Sequence, residues 1–148
     1  MQIAIREAEA ADREAIVGLV AELARTEQWP LELRPGYVAT YLAFPGTTVL
    51  LAEDDGMTLG LLAFSVRPGL FHGGESGFVE ELVVAPAARR QGVARALLQE
   101  ALRRIENAGC REVSIATGCE NHEAQRLYRR LGLVEESLLL EKHLPPSP

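Results

Sequence analysis

The run Glu80-Glu81-Leu82-Val83-Val84-Ala85-Pro86-Ala87-Ala88-Arg89-Arg90-Gln91-Gly92-Val93-Ala94 constrains this chain most, because it joins a buried strand to a basic, glycine-containing helix start. Phe78-Val79 and Leu82-Val83-Val84 are apolar and β-favouring. Pro86 offers no N–H and biases Ala85 away from helix, so the strand ends at Ala85. From Val93 to Ile105, apolar residues recur at helical spacing between strong helix formers, which predicts a long amphipathic helix beginning near Gly92.

A helix start leaves backbone N–H groups without intrahelical partners and carries partial positive charge. Gly92 and Ala94 remove bulk that would hold an anion at a distance, and Arg89, Arg90 and Arg95 add full charges to the same pole. The junction is therefore a candidate pyrophosphate cradle. It is neither of the commoner phosphate loops: the lysine followed by Ser or Thr of a P-loop is missing, and no G-x-G-x-x-G follows the strand.

Arg89-x-x-Gly92-x-Ala94, placed just after a Val-Val strand, resembles the acetyl-coenzyme A signature Gln/Arg-x-x-Gly-x-Gly/Ala of the GNAT superfamily of N-acetyltransferases. The plain alternative is that Gly92 and Ala94 merely let a helix pack closely on a sheet. A second motif weighs against that alternative. Asn121-His122-Glu123-Ala124-Gln125-Arg126-Leu127-Tyr128-Arg129-Arg130-Leu131-Gly132-Leu133 is similar to the superfamily's later motif Asn-x-x-Ala-x-x-x-Tyr-x-x-x-Gly-Phe, with Leu133 in place of the aromatic. Asn121 suits an N-cap, Glu123 the first turn, Arg129 and Arg130 the last, and Gly132 the left-handed residue that follows. Any well-capped helix has such ends; Tyr128 and the order of the two motifs are what capping leaves unexplained.

With 148 residues, 47% hydrophobic and 24% charged, the chain suits one soluble globular domain, expected over residues 1–144 with a disordered tail at 145–148. The absence of a long apolar run or a signal-peptide pattern makes a cytoplasmic location the default and a membrane an unexpected partner. A net charge of -6 argues against nucleic acid as a partner and weakly favours cationic small substrates. Cys110 and Cys119 lack metal-ligand spacing and are expected as free thiols, and no metal is expected to be required.

Periodicity and turn residues place a strand at Ile3–Ile5, a helix from Asp12 through Leu23, and a short helix over Gly36–Ala43. Strands over Thr47–Ala52, Leu59–Val66 and Gly77–Val84 follow, with Asp54-Asp55-Gly56 turning between the first two. The helix at Val93, a strand at Val113–Ala116, the helix at Asn121 and a last strand at Ser137–Lys142 complete the order β-α-α-β-β-β-α-β-α-β. This is the superfamily's order. The resemblance implies an α/β fold of α+β type: a central mixed β-sheet with a splayed strand pair, flanked by helices.

The resemblance also implies a grip on acetyl-CoA as cosubstrate. Leu82, Val83 and Val84 would offer backbone groups to the pantetheine arm, as in β-augmentation. Arg89, Arg90, Gln91, Gly92, Val93, Ala94 and Arg95 would wrap the pyrophosphate, and Asn121 would hold the arm. Tyr128 would protonate the leaving sulfur, with a backbone N–H near Val83 or Val84 polarising the carbonyl. Acetyl transfer to an amine needs the neutral amine, and alkyl amines such as lysine have a pKa of about 10.4, so a base must act. Glu80 and Glu81 are the candidates. Adjacent strand residues point to opposite faces unless a bulge intervenes, and Glu81 is favoured because it borders the splay. Direct transfer in a ternary complex is expected, without a nucleophilic residue.

The acceptor, a small-molecule or peptide amine, is less legible. By the resemblance, Trp29, Tyr37, Tyr41 and Phe44 would form one wall of its cleft, and Phe71, His72 and Glu75 in the glycine-rich loop before the cofactor strand another. That loop and the following Glu-Glu-Leu-Val-Val are similar to the subgroup that acetylates small aminoalkylphosphonates and related amines. His72 with Glu75 is a candidate metal or base pair, weighed against an exposed loop histidine. Two other classes stay open: a non-catalytic acetyl-CoA sensor, which would not need Tyr128, and an interaction domain pairing its Leu138-Leu139-Leu140 strand with a second copy to make a homodimer, an arrangement also compatible with catalysis.

Overall fold

The computed structural model describes residues 1–146. They fall into two units, one over Met1–Ile115 and one that begins at Ala116. In the first, alternation of apolar residues makes a five-stranded sheet in the order β1-β2-β3-β4-β5. Its strands are β1 (Ala4–Glu7), β2 (Thr47–Asp54), β3 (Met57–Arg67), β4 (Ser76–Val84) and β5 (Glu112–Ile115). The first four pair antiparallel, and β5 joins β4 in parallel, so the sheet is mixed as expected. Asp55 and Gly56 both adopt positive φ, 48° and 77°, which is the tight hairpin turn that Asp-Gly favours between β2 and β3.

Period-two alternation gives the sheet two apolar faces. On one, Val49, Leu51, Leu61, Ala63 and Val83 form a buried cluster with Ile16 and Leu19 of α1 (Arg13–Thr26) and Val38 of α2 (Tyr37–Ala43). On the other lies α3 (Val93–Asn107), whose Val93, Leu97, Leu98, Ala101, Leu102 and Ile105 are buried at helical spacing. The sheet comes close to α3. A Cβ on Gly60 would sit 3.1 Å from Val93 Cγ1, and one on Gly77 would sit 2.5 Å from Ile105 Cγ2.

The second unit contains α4 (His122–Arg130). Asn121 caps it, its Oδ1 accepting from the Ala124 N–H at 3.3 Å. At the other end Gly132 takes φ 96°, and the Leu133 N–H donates to the Tyr128 carbonyl at 3.0 Å, closing the helix as the sequence anticipates.

One expected element is absent. Ser137–Lys142 carries no regular structure, and Leu138, Leu139 and Leu140 stand 83%, 55% and 83% exposed. A β-favouring run becomes a strand only where a ladder partner takes up its N–H and C=O groups, and this run finds none among the described residues. The order therefore ends at α4. Of the expected tail, residues 145–146 have no regular structure, while 147–148 lie outside the described residues. Among the described residues no helix is long and apolar enough to cross a membrane.

Candidate active site

Across the β3–β4 ladder Ala63 opposes Glu81, but Phe64 opposes Val79, so Glu80 is an extra residue and β4 bulges there. Opposed residues share a face of the sheet. Glu81 therefore points to the side of Ala63, Val83, α1 and α2. Ser65, two residues beyond Ala63, lies on the same side, and its hydroxyl donates to Glu80 Oε1 at 2.7 Å. The bulge thus turns both glutamates toward one face. The expectation that pleating admits only one of them gives way to the bulge exception.

The pair is electrostatically tight. Burial pushes the half-buried Glu81 carboxyl above its ordinary range, and the neighbouring charge of Glu80 adds to the shift. Tyr41 of α2 faces the same charges. Burial first, then Glu81, Glu80 and Tyr37, raise its phenol well above the usual tyrosine value, so it stays protonated at neutral pH.

Pairing of β4 with β5 stops at Val79–Ile115, while β4 continues to Val84. Among the described residues no strand pairs with its outer edge over the last five residues, in line with the splay that the resemblance implies. The Ala85 N–H donates to the Leu59 carbonyl at 2.8 Å. By alternation, Val83 and Glu81 also turn their backbone groups to β3, and Leu82 and Val84 turn theirs to the open edge. This corrects the expectation for Val83, whose main chain is used within the sheet and whose side chain is buried.

After a turn over Pro86–Ala88, the chain enters α3 through left-handed residues, Arg90 at φ 60° and Gly92 at φ 84°. A Cβ on Gly92 would meet open space, so glycine is needed there for its backbone conformation and not for lack of room. The amides of Gln91, Gly92, Val93, Ala94 and Arg95 have no acceptor among the described residues. Five N–H groups at a helix start, with arginines beside them, fit a pyrophosphate. The Arg89 guanidinium is already engaged: it donates to Glu22 Oε1 of α1 at 2.7 Å and to the Val84 carbonyl at 3.3 Å. Glu22, held by Arg25 and Arg89, has its carboxyl lowered to about 2. The Arg89 charge is thereby committed to Glu22.

In the second unit, Tyr128 is half-buried on α4, and burial raises its phenol above the ordinary value, keeping the proton on at neutral pH. Asn121 spends its side-chain oxygen on the helix cap and retains its amide donors.

Other candidates are placed differently. His72 Nε2 lies 2.7 Å from Glu112 Oε2, so its carboxylate partner is Glu112 and not Glu75. Phe71 stands 94% exposed. Among the described residues no group of three or more His, Cys, Asp or Glu side chains is placed to hold a metal ion. Cys110 and Cys119 are free thiols. The sequence reading did not single out Ser65, Arg67 and Phe78; alternation along β3 would have put Ser65 and Arg67 on the Ala63 face, but only the bulge brings Glu80 to Ser65.

Residues 16–133 match the sequence profile described as Acetyltransferase (GNAT) family. The chain is 28% identical over 140 residues to the aminoalkylphosphonate N-acetyltransferase of Salmonella typhimurium, covering 95% of this chain and 90% of that protein. It is 31% identical over 118 residues to an aminoglycoside N(6')-acetyltransferase type 1 of Serratia marcescens, covering 75% of this chain and 81% of the relative. Its fold superposes with TM-score 0.77 and 26% identity on AAC(6')-Iy in complex with the bisubstrate analogue CoA-S-monomethyl-acetylneamine, covering 98% and 100% of the two chains. The splayed β4 edge, the amide cradle at α3 and the agreement over most of the chain's length lead to one conclusion: this protein belongs to the GNAT family of acetyltransferases.

Proposed function

We propose that this acetyltransferase moves the acetyl group of acetyl-CoA directly to a small-molecule primary amine within a ternary complex. The observation that carries the reading is the continuity of β4, whose bulge turns two glutamates to one face, whose next residues offer an unpaired edge, and whose end opens into the amide cradle of α3. The names of the relatives, an aminoalkylphosphonate and an aminoglycoside acetyltransferase, share an amino acceptor on a small molecule.

Bound acetyl-CoA supplies the activated thioester. Leu82 and Val84 offer it strand-edge backbone, and the amides of residues 91–95, with Arg90 and Arg95, meet its pyrophosphate. An N–H on the Leu82–Val84 edge polarises the carbonyl. Glu81 removes the amine proton, directly or through water, and its raised pKa suits a base working near neutral pH. Glu80 supports it by charge. Tyr128, carried over from the motif and protonated at neutral pH, donates to the departing sulfur, and Asn121 holds the pantetheine arm.

Thiol release across a panel of primary amines, including amino acids, polyamines, aminoglycosides and peptide N-termini, tests the reading. Turnover with at least one small amine is expected, and Tyr128→Phe should lower kcat by about a hundredfold. Equal release by Tyr128→Phe removes the acid role. Tight coenzyme A binding with no turnover on any acceptor replaces the enzyme reading with that of a sensor. An acetyl group trapped on Cys110 or Cys119 during turnover overturns direct transfer.

A further inference from the structure

On the face of β3–β4 that bears Glu81, side chains follow one another in a fixed order set by register. Leu61 opposes Val83, Ala63 opposes Glu81, Ser65 opposes Phe78 next to the bulged Glu80, and Arg67 opposes Ser76. Independent geometry agrees: the Arg67 guanidinium carbon lies 5.6 Å from the centroid of the Phe78 ring, on that face.

 That 5.6 Å separation is a cation–π contact, which seats the Arg67 charge against the Phe78 ring. No carboxylate partner for Arg67 occurs among the described residues, whereas Arg6, Arg25, Arg89, Arg103, Arg104 and Arg129 each have one.

We infer that Arg67 is a specificity-determining residue that binds an anionic group on the acceptor, so that the acceptor is a small zwitterion with its amine at Glu80 and Glu81 and a phosphonate or carboxylate at Arg67. The inference rests on the acetyl transfer to a small amine proposed above. Ser65 and Arg67 are two residues apart on one strand, so their positions are separated by roughly 7 Å along the face. A chain of three or four carbons between amine and anion, with the reach of the Glu80 and Arg67 side chains, covers that distance. Phe78, between the two poles, offers an apolar surface to such a chain, and its ring holds the guanidinium above it. Guanidinium recognises phosphonate or carboxylate oxygens with paired N–H donors. A diamine of the same length would instead bring a second cation against Arg67.

Four acceptors of matched length separate these cases: 3-aminopropylphosphonate, 4-aminobutanoate, butylamine and 1,4-diaminobutane. For the wild type, kcat/KM with the phosphonate or the carboxylate should exceed that with butylamine by about tenfold or more, through KM, since a hydrogen bond to a charged group is worth about that factor. Arg67→Gln should bring this ratio toward one by raising KM for the anionic acceptors with kcat largely kept, and Arg67→Lys should restore part of it. A ratio that Arg67→Gln leaves unchanged, or a preference for the diamine, overturns the inference while leaving acetyl transfer to amines intact. Calorimetric binding of 3-aminopropylphosphonate to wild type and Arg67→Gln covers the case in which none of the four is acetylated. Weaker binding by the variant then supports the anion site although the amine-transfer reading fails, and equal or undetectable binding by both rejects the site.

Discussion

Glu80 and Glu81 are neighbours in sequence that a regular strand would send to opposite faces, and one extra residue in β4 brings them together. Their proximity has a direct consequence for pH dependence. Glu81 is raised by burial first and by the charge of Glu80 second, and a carboxyl can serve as the proposed base only when ionised. Activity should therefore rise with pH through a limb lying above the ordinary carboxylate range. Removing the Glu80 charge stabilises ionised Glu81, so Glu80→Gln should move that limb to lower pH. The pH profile of kcat/KM under saturating acetyl-CoA checks this, and the position of the limb is what counts, whatever happens to its height. A limb that stays in place or moves upward would show that Glu81 is not the titrating base. The sequence supplied the two carboxylates as candidates and named the bulge as the exception. It carried no sign that the exception holds, because a bulge depends on the register adopted with β3 and not on the residues of β4 alone.

At the scale of elements, β4 and α3 do most to position the site, and their contact leaves little room. Gly77 is buried on the α3 face of β4, where an added Cβ would approach Ile105 Cγ2 to 2.5 Å and Cδ1 to 3.0 Å. Ile105 is 1% exposed and has nowhere to retreat. Gly77→Ala should destabilise the fold by about 1–3 kcal/mol, as overpacking of a filled core does. Chemical denaturation measures the loss, and Gly77→Ala with Ile105→Val should recover part of it. A neutral Gly77→Ala would mean that β4 and α3 separate more easily than their packing indicates. Both elements were legible as local patterns. The Pro86 stop and the β-favouring run before it matched the ends of β4 to within a residue, and the helical spacing from Val93 to Ile105 matched the start of α3 and fell two residues short of its end at Asn107. The run at Ser137–Lys142 had a comparable apolar pattern and did not become a strand, since strand formation needs a partner that sequence pattern does not supply.

For the larger unit, Met1–Ile115, the first strand and helix are tied to the second strand by charge. Arg6 of β1 donates to Asp12 at the start of α1 at 2.8 Å and to Glu53 of β2 at 2.6 Å. Asp12 also accepts the Glu9 N–H at 2.7 Å. These bonds, the one from Arg6 foremost, lower the Asp12 carboxyl to about 2. With an unfolded pKa of about 3.9, the resulting stabilisation is present above that pH and is lost as pH falls through about 2. The stability difference between wild type and Asp12→Asn, followed by urea unfolding from pH 7 to pH 2, should be constant at the upper end and shrink toward the lower. A difference independent of pH would show that the network does not contribute through its charge.

Sequence alone determined the order of elements through α4, the helix start that follows β4, and the two motifs by which the chain resembles its family. These are local matters: alternation, helical spacing, proline stops and capping residues act over a few neighbours along the chain. Tertiary structure decided the rest. It turned the Val83 backbone inward and the Leu82 and Val84 backbones to the open edge, committed the Arg89 side chain to Glu22, and set Glu80, Glu81, Phe78 and Arg67 on one face. Each of those outcomes depends on which residue a strand meets across the ladder or which helix packs above it. Such pairings join residues distant in sequence, and no local pattern specifies them.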